Sequence, residues 1–544
     1  MRYLSENKRE DMRMKKRTAA RSMAALMGAA MVLTACGGGN TTAPTTGASS
    51  GGETQTASES AESGKITKTD IVVGQASDIV TLDPAGQQDT TSGVLMKHAY
   101  STLLDVDNEG KVVPDLAESY EMKSDTEYVF KLREDACFWD GTPVTAQDVK
   151  FSLDRAKGMP KTKSNTSKIE EVTVNGDHEV TIKLTEPYAA FKTIVTQHNL
   201  SILSEKAVTE AGDSYGDVDN LLGSGPFKVT EWVPNDHYTL VRNDNYWGEM
   251  PIATSITCRV IPEGSARTIA LEAGEIDVVW SVDPTDCANV ESNPDVKLLS
   301  QPSTGIDYVG MNTQKEKFSD KRVRQAINYA LDKQTFVDTI IEGRGLVANS
   351  YINAAIPGWT DEVEAYPYDP EKAKELLAEA GYPDGFECSI FVNGDLRTRS
   401  AQILQAQLAD VGIKVDISTY EWGALLDTLN AGEHEMFLLG WSNTSFDPDG
   451  STYQLFYSGN HGATGNRAFF SNDKVDELIL SAQRESEESK RMELYKELQV
   501  YLHEISPWCP LYYKENNVGV RADLKGFTLH AGAQHYLGNC HYEE

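Results

Sequence analysis

The chain has 544 residues, with 50 basic and 82 acidic side chains and a formal charge of −32 at neutral pH. That acidity excludes nucleic acid and anionic lipid surfaces as partners. The length exceeds what one hydrophobic core organises, so two or three subdomains are expected.

The N-terminus reads as an export signal. Lys15, Lys16, Arg17 and Arg21 precede an apolar run over 22–35 that is too short to remain a membrane-spanning helix. The tetrad Leu33-Thr34-Ala35-Cys36 resembles the lipobox of bacterial lipoproteins, which implies cleavage before Cys36 and a diacylglyceryl group on its thiol. Glu6, Glu10 and Asp11 are foreign to a signal peptide, so translation is expected to start at Met12 or Met14. Residues 1–35 hold 8 basic and 3 acidic groups, which leaves 42 against 79 and a net charge of −37 on the mature chain. Residues 36–65 are Gly, Ser, Thr and Glu with almost nothing to bury, a disordered tether. Folded sequence is expected from Ile66. No second long apolar run follows, so signal and lipid are the only links to a membrane.

Further along, "EYVFKLR" predicts a strand over 127–133, and "EEVTV" and "HEVTIKL" predict a hairpin over 170–184 with its turn at Asn175-Gly176-Asp177. "HYTLVRN" predicts another strand. Past residue 310 helices and strands alternate. Val323, Ala326, Ile327, Ala330 and Leu331 share one helical face. Asp369 is placed to cap a helix with Pro370 in its first turn and Gly381 at its end; Ala373, Leu376, Leu377 and Ala380 form its apolar stripe. Strand "FECSIFV", helix "SAQILQAQLADVG" and strand "IKVDISTY" complete a βαβ unit and predict a parallel or mixed sheet. Cys137, Cys258, Cys287, Cys388, Cys509 and Cys540 are scattered without metal-ligand spacing. In an exported protein they are either disulfides, with 15 full pairings open, or buried thiols.

Apparent catalytic motifs fail on context. "GDSYG" over 212–216 lies in an acidic loop rather than between a strand and a helix. "DVDNEG" over 105–110 begins like a calcium loop, but Leu116 stands where the closing Glu belongs. His434-Glu435 and His503-Glu504 lack the second His of a zinc protease helix, and His530, His535, Cys540 and His541 fit no common metal spacing. With no phosphate loop or dinucleotide fingerprint either, no enzymatic activity, cofactor or metal is expected.

Seven stretches in order resemble the bacterial family 5 extracellular solute-binding proteins, the peptide-binding components of ABC importers. They are "TLDPAGQQDTTSGVLMKHAYSTLLDVDNEGKVVPDLAESYE", "YVFKLREDACFWDGTPVTAQDVKFSLDRA", "GSGPFKVTEW", "VGMNTQKEKFSDKRVRQAINYALDK", "YDPEKAKELLAEAGYPDGFE", "EWGALLDTLNAGEHEMFLLGWS" and "SPWCPLYYKENNV". The resemblance implies an α/β fold of the type II periplasmic-binding-protein class, with two lobes, a hinge and an extra α+β subdomain. One lobe would take 66–104, 223–302 and 508–544, the extra subdomain 105–222, and the second lobe 303–507. The chain would then cross between lobes near 303 and near 507. The implied partners are a short peptide, a permease and an ATPase, with a monomeric binder tethered outside the cytoplasmic membrane. The same fold also serves glutathione, nickel or another metal complex, haem or sugar uptake, or surface sensing.

A binder of varied peptides must read what all peptides share, their charged ends. For the carboxylate, the resemblance points to the Arg ahead of the "AQILQAQL" helix: Arg397, with Arg399 as second choice and Asn393 as a polar neighbour. For the amine, peptide binders of the family carry an Asp three residues after the Trp of "GW"; here that position is Thr444, with Asp447 and Asp449 as nearby substitutes. Trp422 and Trp441 lie in ligand-region motifs, and Ser303 and Tyr308 lie where the lobes would join. Asp83-Pro84 and Gly225-Pro226 read as structural turns.

Overall fold

Alternation sets the first sheet. In the strand Asp70–Gln75, Ile71 and Val73 point into a core and are buried. It runs parallel to Ser255–Val260 and Val278–Val279, and Ser255–Val260 carries the antiparallel pair His237–Arg242 and Phe227–Val233. The computed structural model describes residues 65–544. The expected signal peptide, Cys36 and all of the tether but Lys65 lie outside the described residues.

The βαβ unit forms as expected. Phe386–Val392 pairs in parallel with Ile413–Thr419, Phe386 opposite Ile413, and on its other side with Met436–Ser442. The connecting helix is Gly394–Ala409, longer at its start than the apolar pattern predicts. Gly305–Met311 follows antiparallel to Met436–Ser442 and is buried along its whole length, so it reads as an unbroken run rather than an alternation. Val323, Ala326, Ile327 and Ala330 of the helix Lys321–Ala330 pack beneath this sheet, beside Ala373, Leu376 and Leu377 of Pro370–Glu379. Asp369 Oδ1 accepts from Lys372 N at 2.9 Å, as its capping position requires. Gly381, at φ +93°, turns the chain out of that helix in a conformation that favours glycine.

One long strand, Trp508–Arg521, belongs to both sheets. Its first part pairs with Gly305–Met311, its last with Val296–Pro302 and Val278–Val279. Trp508, Cys509, Leu511, Tyr512 and Tyr513 pack in the core of the second sheet, and Val518 and Val520 in that of the first. The chain therefore changes cores inside this strand, after Tyr513, and not near 507. The other crossing lies between Pro302 and Gly305. The two touch where Pro302 faces Glu515 and Ser303 N donates to Lys514 O at 3.2 Å. Two adjacent crossovers are the geometry on which a hinge turns.

A third core lies under a four-stranded antiparallel sheet ordered Ala117–Ser124, Glu127–Leu132, Glu179–Leu184, Ile169–Val174. The predicted hairpin is its last pair, Val174 opposite Val180. The 105–110 segment makes the tight connection between Leu104–Val106 and Val112–Pro114. All six cysteines in the described residues are free thiols, five of them buried. No described helix is long and apolar enough to cross a membrane.

Candidate functional site

The parallel strands decide where a cleft forms. Chain leaving Phe386–Val392, Ile413–Thr419, Met436–Ser442 and Val278–Val279 emerges on one side, and the loops that follow line a cavity of about 410 Å³. Open α/β sheets place ligands outside the carboxyl ends of their strands in this way. The third core supplies part of the wall through Asn165, Gln197 and Asn199. Hydrogen bonds span the cleft: Thr444 Oγ1 donates to Gln197 Oε1 at 2.8 Å, and Gln454 Nε2 to Asn165 Oδ1 at 2.7 Å. Arg399 Nη2 donates to both Asp283 oxygens, at 2.9 and 3.1 Å.

Five of the expected residues come together here: Arg397, Asn393, Trp422, Trp441 and Thr444. Asn393 precedes the helix Gly394–Ala409, and its Oδ1 accepts from Arg397 Nη1 at 2.7 Å, one turn on. Arg397 Nη2 stands 4.0 Å from Asp307, which Lys514 Nζ approaches to 3.0 Å. The guanidinium carbon lies 5.9 Å from the centre of the Trp422 ring. Arg397 is thus oriented and half-balanced, and its Nε has no protein partner. Trp441 Nε1 donates to Gly450 O at 2.9 Å.

Asp447, Ser303 and Tyr308 lie outside the cavity wall. Asp447 forms a buried two-point ion pair with Arg491, 2.9 Å from Nη1. Ser303 Oγ donates to Lys514 O at 2.7 Å and accepts from Gly305 N, holding the crossover. Tyr308 packs behind the wall with its ring centre 4.0 Å from that of Trp508, and burial pushes its phenol up to about 12. Asp449 accepts from Tyr188 OH at 2.5 Å and from Gln483 at 2.8 Å. Burial, then the charge of Asp447, pushes its carboxyl up to about 6. Ser214 of the "GDSYG" loop is exposed on the short turn Gly212–Ser214. Among the described residues, no three His, Cys, Asp or Glu side chains converge as metal ligands.

Among the charged residues of the wall that were not anticipated are Asp89 and Arg467. Asp89 caps the helix Thr90–Ala99, its Oδ1 accepting from Ser92 N at 2.9 Å. Burial raises its pKa, and its Oδ2 is sealed from solvent without a protein partner. A capping acid ahead of "TTSGVLMKHA" was a visible signal. Arg467 reaches the cavity from an irregular segment with no periodicity to mark it. Trp280 Nε1, Trp422 Nε1, Gln88 Oε1 and Gln534 Oε1 are likewise buried without protein partners. An unsatisfied buried polar group costs about 1–3 kcal/mol, so each favours a ligand that completes it.

Residues 111–463 match the family described as bacterial extracellular solute-binding proteins, family 5 Middle. The chain belongs to this family. The glutathione-binding protein GsiB of Shigella boydii serotype 4 is 31% identical over 479 residues, 85% of this chain and 92% of the relative. A dipeptide-binding protein of Escherichia coli strain K12 is 30% identical over 470 residues, 80% of this chain and 86% of the relative. Among solved structures, the periplasmic binding protein DppA of Helicobacter pylori, in complex with the peptide STSA, superposes with a TM-score of 0.84 at 28% identity, covering 88% of this chain and 99% of that one. The fold of this family 5 member is the type II periplasmic-binding-protein fold. It is a solute-binding protein of the ABC-importer type and not an enzyme.

Proposed function

We propose that this chain captures short peptides in the 410 Å³ cavity and delivers them to an ABC permease and its ATPase. Acylated Cys36 and the tether 36–65 would hold it as a monomer at the outer face of the membrane. The two lobes, 66–104 with 223–302 and the chain after Tyr513, and 303–513, would close over the ligand, and 105–222 would add a third wall. Closure follows from differential affinity, because both lobes contribute contacts only when shut. The observation that carries this reading is the pairing of opposite charges in one cleft. Arg397 offers a carboxylate its unpartnered Nε, and Asp89 offers an ammonium its unpartnered Oδ2. Asp89 would take the role left open by Thr444, whose hydroxyl is engaged by Gln197.

Native mass spectrometry of the purified protein with carried-over ligand tests the reading. A short peptide is expected; a metal complex or a sugar as the sole ligand overturns it. A second reading, glutathione, is favoured by the 31% identity to GsiB across nearly the whole folded chain. It shares the site and the charged ends.

A further inference from the structure

The extra subdomain is built onto the first lobe. Trp139, Leu203, Val208 and Tyr215 share the first sheet's core with Ile71 and Val73, and Arg155 grips both oxygens of Asp83, at 3.0 and 2.6 Å. The core of the second lobe draws its buried residues from 306–513 alone. Subdomain and second lobe therefore meet along a polar seam rather than through a shared core. Glu186 pairs there with Arg484, Ser167 Oγ lies 3.0 Å from Tyr453 OH, and Ala189 N donates to Gln483 O at 2.8 Å. One contact in the seam is fully enclosed: Tyr188 OH donates to Asp449 Oδ2 at 2.5 Å, and each residue is 1% exposed. Neither lines the cavity. Asp449 nevertheless opens the helix Asp449–Phe456, which braces the wall at two points. Gly450 O accepts from Trp441 Nε1 at 2.9 Å, and Gln454 bonds Asn165 across the cleft.

A phenol on a buried carboxyl is stronger than the neutral pairs around it when the carboxyl is ionised, and it exists only while the subdomain and the second lobe touch. We propose that Tyr188 and Asp449 form a latch, remote from the ligand, through which the extra subdomain holds the second lobe shut and so sets the affinity of the cleft. The latch rests on the reading that peptide is captured by closure. It also ties closure to pH. The titratable groups facing Asp449 are Asp447, Arg491, Tyr453 and Tyr495 on its own lobe and Tyr188 on the subdomain; Glu186 is engaged by Lys168 and Arg484. With the seam shut, burial and then the charge of Asp447 hold the Asp449 carboxyl at about 6. With it parted, water reaches Oδ2 and the carboxyl returns towards its ordinary value of about 3.9. The shut state has the higher pKa, so closing takes up a proton between about pH 4 and about pH 6, and acid favours the shut state.

Calorimetry of the dipeptide Ala-Gly with wild type, Tyr188→Phe and Asp449→Asn, at about pH 7.5 and about pH 5, tests it. Tyr188→Phe keeps its ring in the third core and loses only the bond, so Ala-Gly should bind about tenfold weaker or more at the higher pH. Between the two pH values the ratio of wild-type to Asp449→Asn affinity should rise about tenfold, because only the wild type takes up the proton on closing. Groups common to both proteins, Asp89 among them, cancel in that ratio, and a merely structural role for Asp449 would not move it. If Asp449→Asn does not fold, Tyr188→Phe carries the test. An affinity within about threefold of wild type in Tyr188→Phe, or a wild-type to Asp449→Asn ratio that does not change with pH, overturns the latch and leaves the peptide reading intact. If Ala-Gly does not bind the wild type, the peptide reading itself falls and the latch with it.

Discussion

Replacing Arg397 with Ala bears most directly on how the ligand is held. Of the guanidinium's donors, Nη1 is committed to Asn393 and Nη2 leans towards Asp307 at 4.0 Å. The free Nε, with whichever Nη turns to the ligand, leaves one or two charge-assisted hydrogen bonds for an incoming carboxylate, each worth about 1.5–3 kcal/mol. Part of that is offset by the weakened contact to Asp307, so a loss of about 2–3 kcal/mol is expected, or roughly 30- to 150-fold in Kd. The wall should survive, because Asp307 keeps Lys514 at 3.0 Å. Calorimetry with a dipeptide and with its C-terminal amide is the assay. The preference for the free acid should collapse in Arg397→Ala and recover partly in Arg397→Lys, which retains a point charge but not the fork. A free-acid affinity within about threefold of wild type would refute the reasoning and remove Arg397 from the site.

Asp89→Asn keeps a capping oxygen for Ser92 N and removes the charge, so helix stability should hold while affinity for a free peptide amine falls about tenfold or more. An N-acetylated peptide, titrated alongside, should not discriminate wild type from variant; a variant that binds free amines normally contradicts this. Asp447→Ala strands Arg491, whose side chain is 4% exposed, as an unpaired buried cation, and should cost about 3–5 kcal/mol in urea unfolding. A loss of affinity with unchanged stability would instead put Asp447 in the site. Acid should weaken the fold. Burial holds His98, His434, His503 and His530 at about 4 and His198 and His535 at about 3, all below the ordinary 6.5. Below 6.5 the unfolded chain binds protons that these six rings refuse, so unfolding free energy falls as pH drops towards 4, by about 1.4 kcal/mol per pH unit for each proton of difference. Burial pushes Asp115 up to about 7 and Asp449 to about 6 and raises Asp89 and Asp476, and hydrogen bonds raise His237 and His541, which all act in the opposite sense, but the six buried imidazoles, each held at about 4 or below, outweigh them. A urea midpoint as high at about pH 5 as at about pH 7.5 would contradict this.

Local order was largely legible before folding. The hairpin ending in Val174 and Val180, the capped helix Pro370–Glu379 and the parallel pair Phe386–Val392 with Ile413–Thr419 all follow from periodicity and turn chemistry between near neighbours. The wall residues at or just beyond the carboxyl ends of the strands, Asn393, Arg397, Trp422 and Trp441, were accessible because the family resemblance marks those segments. The engagement of Asp447 was not legible, because Arg491 lies 44 positions away on the helix Glu488–Ile505, and no short-range signal distinguishes a paired buried acid from a free one.

Chemistry carried by neighbouring residues is thus written in the chain: strand and helix periods, capping acids, the acidic charge and the membership of a binding-protein family. Which charges remain unpaired is not. Asp307 is claimed by Lys514 and Asp283 by Arg399, whereas Asp89 and Arg467 are left facing one cavity from positions 378 residues apart. A charge is spent or available according to what folding brings within a few ångströms of it, because Coulombic and hydrogen-bond energies fall off over that distance and strengthen away from water. Only the tertiary structure sets those distances, and with them the ends of a ligand that the cleft can read.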